Sequence, residues 1–455
     1  MNDPQHRRGV RPGRLALLVV LAVGGVLVWW LLGGPGPTAF SKGPRVALED
    51  YHAADPTGVP SSLRDADIVH RGEYLAKAAD CAVCHTAKHG VPYAGGFAFI
   101  LPFGTIYSTN ITPDKETGIG SYTDAQFLDA LRRGVRHDGA RLYPAMPYTS
   151  YTYITDADGL AIKAYLFSLP PVAARPRQNT LGFPFNQRSL MALWSAFFNR
   201  DQRFRPDASR SPEWNRGAYL AEALAHCGEC HTPRNLAFAL DGRRKFGGAL
   251  TAGWHAYNIS ADPASGIGDW SEEEVRLYLS TGHAPGRGTA SGPMGEAVGE
   301  SFSEMDSADI QAIVAYVRSV PAVRSRDVTA QLAGPATFSH RDGPGASNAL
   351  GKQVFEGACV SCHGWSGQSP LDGFADLTGS RAVNDPHAVN VVQMVIAGLG
   401  RNPSHGELRM PGFGERYSDT EIAAVANYVT ARYGNRGSQL EAPDVASLRK
   451  QAAQP

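Results

Sequence analysis

The first sustained pattern in the chain is a run without charge, LALLVVLAVGGVLVWWLLGG at residues 15–34. About 20 apolar residues in a helix span a bilayer. Arg7, Arg8, Arg11 and Arg14 precede the run, and Trp29 and Trp30 stand near its far end, where interfacial aromatic residues belong. The pattern predicts one transmembrane anchor at 15–34, with residues 1–14 in the cytoplasm and everything beyond exported. A cleaved signal peptide is the alternative, although its apolar region is usually shorter, about 7 to 15 residues. Both readings export the rest of the chain.

Beyond the run, apolar positions recur at helical spacing in a plan that appears three times. RGEYLAKAADCAVCHT (71–86) parallels RGAYLAEALAHCGECHT (216–232), and YSTNITPDKETGIGSYTDAQF (107–127) parallels YNISADPASGIGDWSEEEV (257–275). Asn110 and Asn258, Gly118 and Gly266, and Tyr122 and Trp270 pair at one offset of 148. The third copy, from GKQVFEGACVSCHG, lacks the Asn-Ile and Gly-Ile-Gly segment. A short helix should lead into each copy, with Tyr74 and Leu75, Tyr219 and Leu220, or Val354 and Phe355 on its buried face. SYTDAQFLDALRRG and DWSEEEVRLYLSTG read as capped helices that stop at glycine. AIKAYL, AIVAYV and AVANYV (161–166, 312–317, 424–429) mark a closing helix in each copy.

The boundaries follow. Residues 35–62 are a linker and 63–172 the first copy; 173–208 are a linker holding the apolar run LMALWSAFF (190–198). Residues 209–322 are the second copy, 323–345 a linker, 346–436 the third copy and 437–455 a tail. The apolar run reads either as a helix packed on a neighbouring copy or as a patch buried against a partner or the membrane surface.

Composition narrows the function. The 455 residues carry formal net charge zero, so nothing draws the chain to nucleic acid. Dinucleotide, zinc-protease and serine-hydrolase signatures are absent from the sequence. All six cysteines fall in three motifs, CAVCH (81–85), CGECH (227–231) and CVSCH (359–363). Structural zinc needs four tetrahedral ligands, and each motif offers at most three crowded together. A redox dithiol needs no histidine after its second cysteine, and a disulfide framework needs none either. Covalent haem c attachment uses the whole motif: two thiols for the two vinyl groups and the histidine for iron. Cys81, Cys84, Cys227, Cys230, Cys359 and Cys362 are therefore the expected attachment residues, with His85, His231 and His363 as iron ligands.

A sixth ligand is expected from methionine, which raises the potential of a haem that carries electrons. Met146, Met294 and Met410 lie in Pro- or Gly-bearing loops, 61, 63 and 47 residues after their histidines. Each precedes the closing-helix tyrosine by 19, 22 or 18 residues; Met305 would precede it by only 11, which favours Met294. Met191 and Met394 read as core methionines, and His405 is the nearest rival to Met410.

CAVCHT, PYAGGFAFILPFGTIYSTNITPDKETGIGSYT, LYPAMPY, CGECHTPRNL, GIGDWSEEEV and CVSCHG together span residues 71 to about 433. They resemble the triheme cytochrome c subunits of proteobacterial membrane-bound alcohol, aldehyde and gluconate dehydrogenases. The resemblance implies an all-α chain of three tandem cytochrome c domains behind a single N-terminal transmembrane helix. It implies three covalently bound haem c groups, with Met146, Met294 and Met410 opposite His85, His231 and His363. It further implies an electron-transfer subunit without catalysis of its own, on the periplasmic face of the inner membrane. Its partners would be a quinoprotein, flavoprotein or molybdenum dehydrogenase subunit, and ubiquinone or a terminal oxidase as acceptor. Two alternatives are a subunit of a terminal oxidase and a multihaem reductase or peroxidase with an open haem.

Overall fold

The structure, a computed structural model, describes residues 17–26, 43–325, 348–399 and 410–452. Half of the expected anchor at 15–34 lies outside them: 17–26 are helical, with exposed apolar side chains, and the rest is not described. Residues 1–14, most of the 323–345 linker and His405 also lie outside the described residues. Among the described residues no helix is long and apolar enough to cross a membrane.

Each copy is built on a leading and a closing helix that cross at a glycine. The pairs are Ile68–Ala78 with Asp156–Ser168, Pro212–Tyr219 with Ser307–Ser319, and Ala349–Ala358 with Asp419–Tyr433. A Cβ on Gly72, Gly217 or Gly351 would lie 1.9, 1.8 or 2.2 Å from the carbonyl oxygen of Ala161, Ala312 or Ala424. Only glycine permits that backbone approach. The six apolar positions expected on the leading helices are all buried. Thr123 and Ser271 form the expected capping boxes on Asp124–Arg133 and Glu272–Thr281, which end on left-handed Gly134 and Gly282.

One residue distinguishes the first two leading helices. Arg71 precedes Cys81 by ten residues, whereas Arg216 precedes Cys227 by eleven. The second helix absorbs the extra residue as a π-helical turn, Leu220–Leu224, whose side chains are all buried.

The fold is mainly helical, but the all-α expectation needs correction. Three two-stranded antiparallel hairpins occur among the described residues: Ala98–Leu101 with Gly104–Tyr107, Ala249–Thr251 with Trp254–Ala256, and His283–Ala284 with Gly288–Thr289. Their cause is local. AFILPFGTIY places aromatic and β-branched residues on both sides of a tight turn, which suits a pleated ribbon. The turn-forming Gly104 and Gly253, at φ 131° and 77°, lie outside the range other residues favour.

The first two copies share one hydrophobic core and grip each other reciprocally. Tyr74 of the first donates to Asp309 of the second at 2.6 Å, and Tyr219 of the second donates to Asp158 of the first at 2.5 Å. Within the second copy Arg216 holds Asp309 in place for Tyr74 through a bidentate pair, at 2.8 and 2.6 Å. The third copy has its own core, which includes Val445 and Leu448. Those residues belong to the helix Ala442–Ala452, so most of the segment expected to be a tail completes the third unit.

Candidate functional site

Each Cys-x-x-Cys-His motif forms a single helical turn: Cys81–His85, Gly228–His231 and Val360–His363. An i, i+3 spacing on such a turn turns both sulfurs to one side. All six thiols are free. Burial pushes the Cys81 and Cys227 thiols up to about 12 and those of Cys230 and Cys359 up to about 11, which keeps them protonated near neutral pH.

The three histidines share one hydrogen-bond arrangement. Nδ1 of His85 lies 2.7 Å from the Thr109 carbonyl, that of His231 2.6 Å from Tyr257, and that of His363 2.6 Å from Ala375. A carbonyl only accepts, so each Nδ1 carries the proton and each Nε2 keeps a free lone pair. This is how a protein fixes the tautomer and orientation of a metal-binding imidazole. Burial lowers the proton affinity of all three, that of His231 to about 4, so each ring is a neutral donor.

The Asn-Ile and Gly-Ile-Gly segment positions the accepting carbonyl. Asn110 follows Thr109; its amide donates to the Val172 carbonyl at 2.7 Å and its oxygen accepts from the Thr112 amide at 2.9 Å. Asn258 follows Tyr257 and repeats the scheme, with Val323 at 2.6 Å and the Ser260 amide at 2.8 Å. A Cβ on Gly118 or Gly266 would stand 2.2 or 2.1 Å from the carbonyl oxygen of Thr112 or Ser260, so the loop closes only around glycine. In the third copy Ala375 ends a single 3-10 turn, Gly373–Ala375, which Asp372 caps by accepting from the Phe374 amide at 2.9 Å.

The structure brings Cys359, His363 and Met410 to one cavity, partly open to solvent and lined mostly by apolar residues such as Phe355, Val391 and Val425. Met394 lines the same cavity and packs, partly buried, against the core of the third unit. Met146 and Met294 lie half-buried against the shared core of the first two copies. Met146 sits in a turn before a short helix, as expected. Met294 does not sit in a loop but in the first turn of the helix Gly292–Glu300, which Pro293 helps to start. Met305 is buried in the core.

Around the motifs the copies interlock. Thr149 and Ser150, just beyond Met146, donate to Glu229 inside the second motif at 3.0 and 3.1 Å, and Arg234 holds the other Glu229 oxygen at 2.7 Å. Reciprocally, the helix that carries Met294 touches the first motif helix. The third copy reaches the second through Asp385, which accepts from the Tyr257 hydroxyl at 3.2 Å and pairs with His255 at 2.9 Å. Arg381 donates to the Asn258 carbonyl at 3.1 Å and lies over the Tyr257 ring. Sequence reasoning misses Glu229, Arg381 and Asp385, since nothing in their spacing links them to these partners.

The donor sets fit covalent haem c: paired free thiols on one turn, a neutral buried imidazole with Nε2 available and, in the third copy, an apolar cavity with a thioether on its wall. The cytochrome c family model matches residues 348–431. Across the chain, the fructose dehydrogenase cytochrome subunit of Gluconobacter japonicus is 38% identical over 87% of this chain and 85% of its own length. The gluconate 2-dehydrogenase cytochrome c subunit of Pantoea cypripedii is 37% identical, over 84% and 90%.

The chain belongs to the family of dehydrogenase cytochrome c subunits.

A nicotinate dehydrogenase subunit of Pseudomonas putida is 41% identical over 89% of this chain but only 34% of its own, longer sequence. Membership carries covalently bound haem c and a role in electron transfer within a dehydrogenase complex. A dehydrogenase cytochrome c subunit is not catalytic on its own, in accord with the missing catalytic signatures.

Proposed function

We propose that this dehydrogenase cytochrome c subunit holds three haem c groups in three tandem domains, 63–172, 209–322 and 346–436. It conveys electrons from a dehydrogenase subunit that oxidises a CH–OH or aldehyde donor to ubiquinone or a terminal oxidase. Residues 15–34 anchor it in the inner membrane with the domains in the periplasm. The observation that carries the reading is the threefold arrangement of a free thiol pair followed by a histidine whose Nδ1 is pinned to a backbone carbonyl.

The haem c groups supply the one-electron redox chemistry when bound. The chain's residues set where that chemistry occurs. Cys81 and Cys84, Cys227 and Cys230, and Cys359 and Cys362 are the attachment thiols. His85, His231 and His363, together with Met146, Met294 and Met410, would be the iron ligands. The middle copy contacts both neighbours, which supports an order in which electrons cross it between the first and third copies.

Haem count and reduction test the proposal. The pyridine haemochrome of the purified full chain should give three haems per polypeptide, and Cys84→Ala, Cys230→Ala and Cys362→Ala should each lower the yield by one. In the gently solubilised complex one donor among ethanol, acetaldehyde, gluconate and fructose should reduce the haem α-band. A count of one or two overturns the triheme reading. A bound partner subunit with no reduction by any such donor overturns the dehydrogenase reading.

A further inference from the structure

The linker between the first two copies carries a helix, Leu190–Phe198, that is apolar on its outer side as well as its inner one. Its inner side is anchored by polar contacts. The Trp194 indole donates to the Ala237 carbonyl at 2.8 Å, and Ser195 is buried 3.3 Å from the Tyr148 hydroxyl. Its outward positions are Leu190, Ala192, Leu193, Ala196 and Phe197, all exposed and none polar. Phe183, seven residues before the helix, and Leu236, next to the Ala237 that holds Trp194, are 82% and 94% exposed. A helix facing water keeps polar residues outside, and an apolar surface of this kind marks a binding face.

Two features choose the occupant. The first is charge. Residues 175–210 contain seven arginines, two aspartates and no lysine or glutamate. Arg175, Arg177, Arg200, Arg205 and Arg210 are exposed; of the two aspartates, Asp207 is fully buried and the exposed Asp201 is paired with Arg203 at 2.9 Å. An apolar helix face flanked by arginine suits the headgroup region of an anionic bilayer. The second is tethering. The chain arriving from the N-terminus is fastened just after this helix: Val46 donates to the Pro206 carbonyl and Ala208 to the Pro44 carbonyl, both at 3.1 Å, and Arg45 donates to the Arg205 carbonyl at 2.9 Å. Gly43 follows the end of the expected anchor at residue 34 by nine residues, a reach of at most about 30 Å.

We propose that Leu190–Phe198, together with Phe183 and Leu236, is a second membrane contact that lies in the lipid–water interface of an anionic bilayer and holds the first two units against the surface. The inference rests on the anchor reading given above.

Site-directed spin labelling of the full-length holoprotein tests it. Leu193→Cys and, separately, Phe197→Cys add a cysteine outside the haem motifs at outward-facing positions, and Leu21→Cys reports on the anchor. Each labelled protein is reconstituted into vesicles of phosphatidylcholine alone or with phosphatidylglycerol, without the dehydrogenase subunit. The labels at 193 and 197 should lose accessibility to a water-soluble nickel chelate, gain collisions with oxygen dissolved in lipid, and do so more strongly with phosphatidylglycerol present. A lipid signal at 21 with a water signal at 193 and 197 overturns the inference and leaves the anchor standing. Water signals at all three overturn the anchor reading and this one with it. Protection at 193 and 197 that appears only when the dehydrogenase subunit is added also overturns the inference, because a protein and not lipid then covers the face.

Discussion

The first two units share a core and grip each other through matched Tyr–Asp hydrogen bonds, whereas the third keeps its own core and closes it with the helix Ala442–Ala452. The same contrast appears at the histidines. In the pair, the carbonyl that fixes Nδ1 lies 24 or 26 residues beyond the histidine and is positioned by a long loop stitched by Asn110 or Asn258. In the third unit it lies 12 residues beyond, on one capped turn. The shorter unit leans on its neighbour. Thr289 of the second unit lines the third cavity and donates to the Phe374 carbonyl at 2.8 Å, and the His283 ring lies 4.7 Å from that of Phe374. A site of this kind needs a neutral, oriented imidazole, and the protein that orients it can come from a long loop or from an adjoining unit.

The helix crossings give the largest way to break that comparison. Gly217→Ala brings a Cβ to 1.8 Å from the Ala312 carbonyl, and Gly351→Ala to 2.2 Å from the Ala424 carbonyl. Backbone cannot yield as a side chain tip does, so each should cost about 3 kcal/mol. Gly217→Ala should lower the temperature of one calorimetric transition that melts the first two units together. Gly351→Ala should lower a separate transition of the third. If both substitutions shift one common transition, the units are not separately cooperative and the contrast fails.

The imidazole supports give a smaller and more local effect. Asn258 is fully buried, and Asn258→Ala strands the Ser260 amide and leaves the Val323 carbonyl with only the longer bond from the Ser260 hydroxyl, at 3.3 Å, a loss of about 2 kcal/mol. Asp372→Ala removes a cap from a half-buried turn, worth about 1 kcal/mol. In a potentiometric titration of the α-band, each should move one component and leave the rest in place, Asn258→Ala by more than Asp372→Ala. An unmoved titration in Asn258→Ala would mean that the loop does not govern the second histidine.

The motif chemistry is legible in the sequence because attachment demands contiguous residues: Cys-x-x-Cys-His is read from five positions. The leading and closing helices are legible because Tyr219, Leu220, Ile313 and Tyr316 recur at helical spacing and are buried accordingly. Long-range pairing is not. Tyr74 meets Asp309 across 235 residues, and no periodicity connects them. The hairpins escape a reading built on helical spacing, although the aromatic and β-branched residues of AFILPFGTIY favour a ribbon. Asn110 and Asn258 stand out as a repeat, yet their task becomes visible only once the carbonyl before each is seen to hold a histidine. Met294 reads as a loop residue because Gly292 and Pro293 precede it, but proline at the start of a helix is a start signal as much as a break.

The smallest expected effect tests the reciprocal grip. Burial first, and then the neighbouring Asp158 and Asp309 carboxylates, hold the protons of Tyr219 and Tyr74 well above the ordinary phenol range. A raised folded value means a contribution that is constant below the unfolded value near about 10 and is lost as pH rises past it, because the unfolded chain ionises while the folded pair does not. Each such tyrosine contributes at most about 1.4 kcal/mol per pH unit above that point. The pair transition should therefore fall between about pH 10 and 11. It should fall faster than that of the third unit, where Tyr433 is the phenol pushed up, by burial, to about 12. Tyr219→Phe should remove one tyrosine's share of the slope while lowering stability at neutral pH, because Asp158 then keeps only the Gly58 amide, 2.9 Å away, of these two donors. Tyr74→Phe should cost less at neutral pH, since Arg216 still holds Asp309 through two hydrogen bonds. Calorimetry from pH 7 to 11 on the three proteins checks both parts. An unchanged alkaline slope in Tyr219→Phe would show that the buried phenol does not set it, and equal neutral-pH losses in the two variants would show that Arg216 does not compensate.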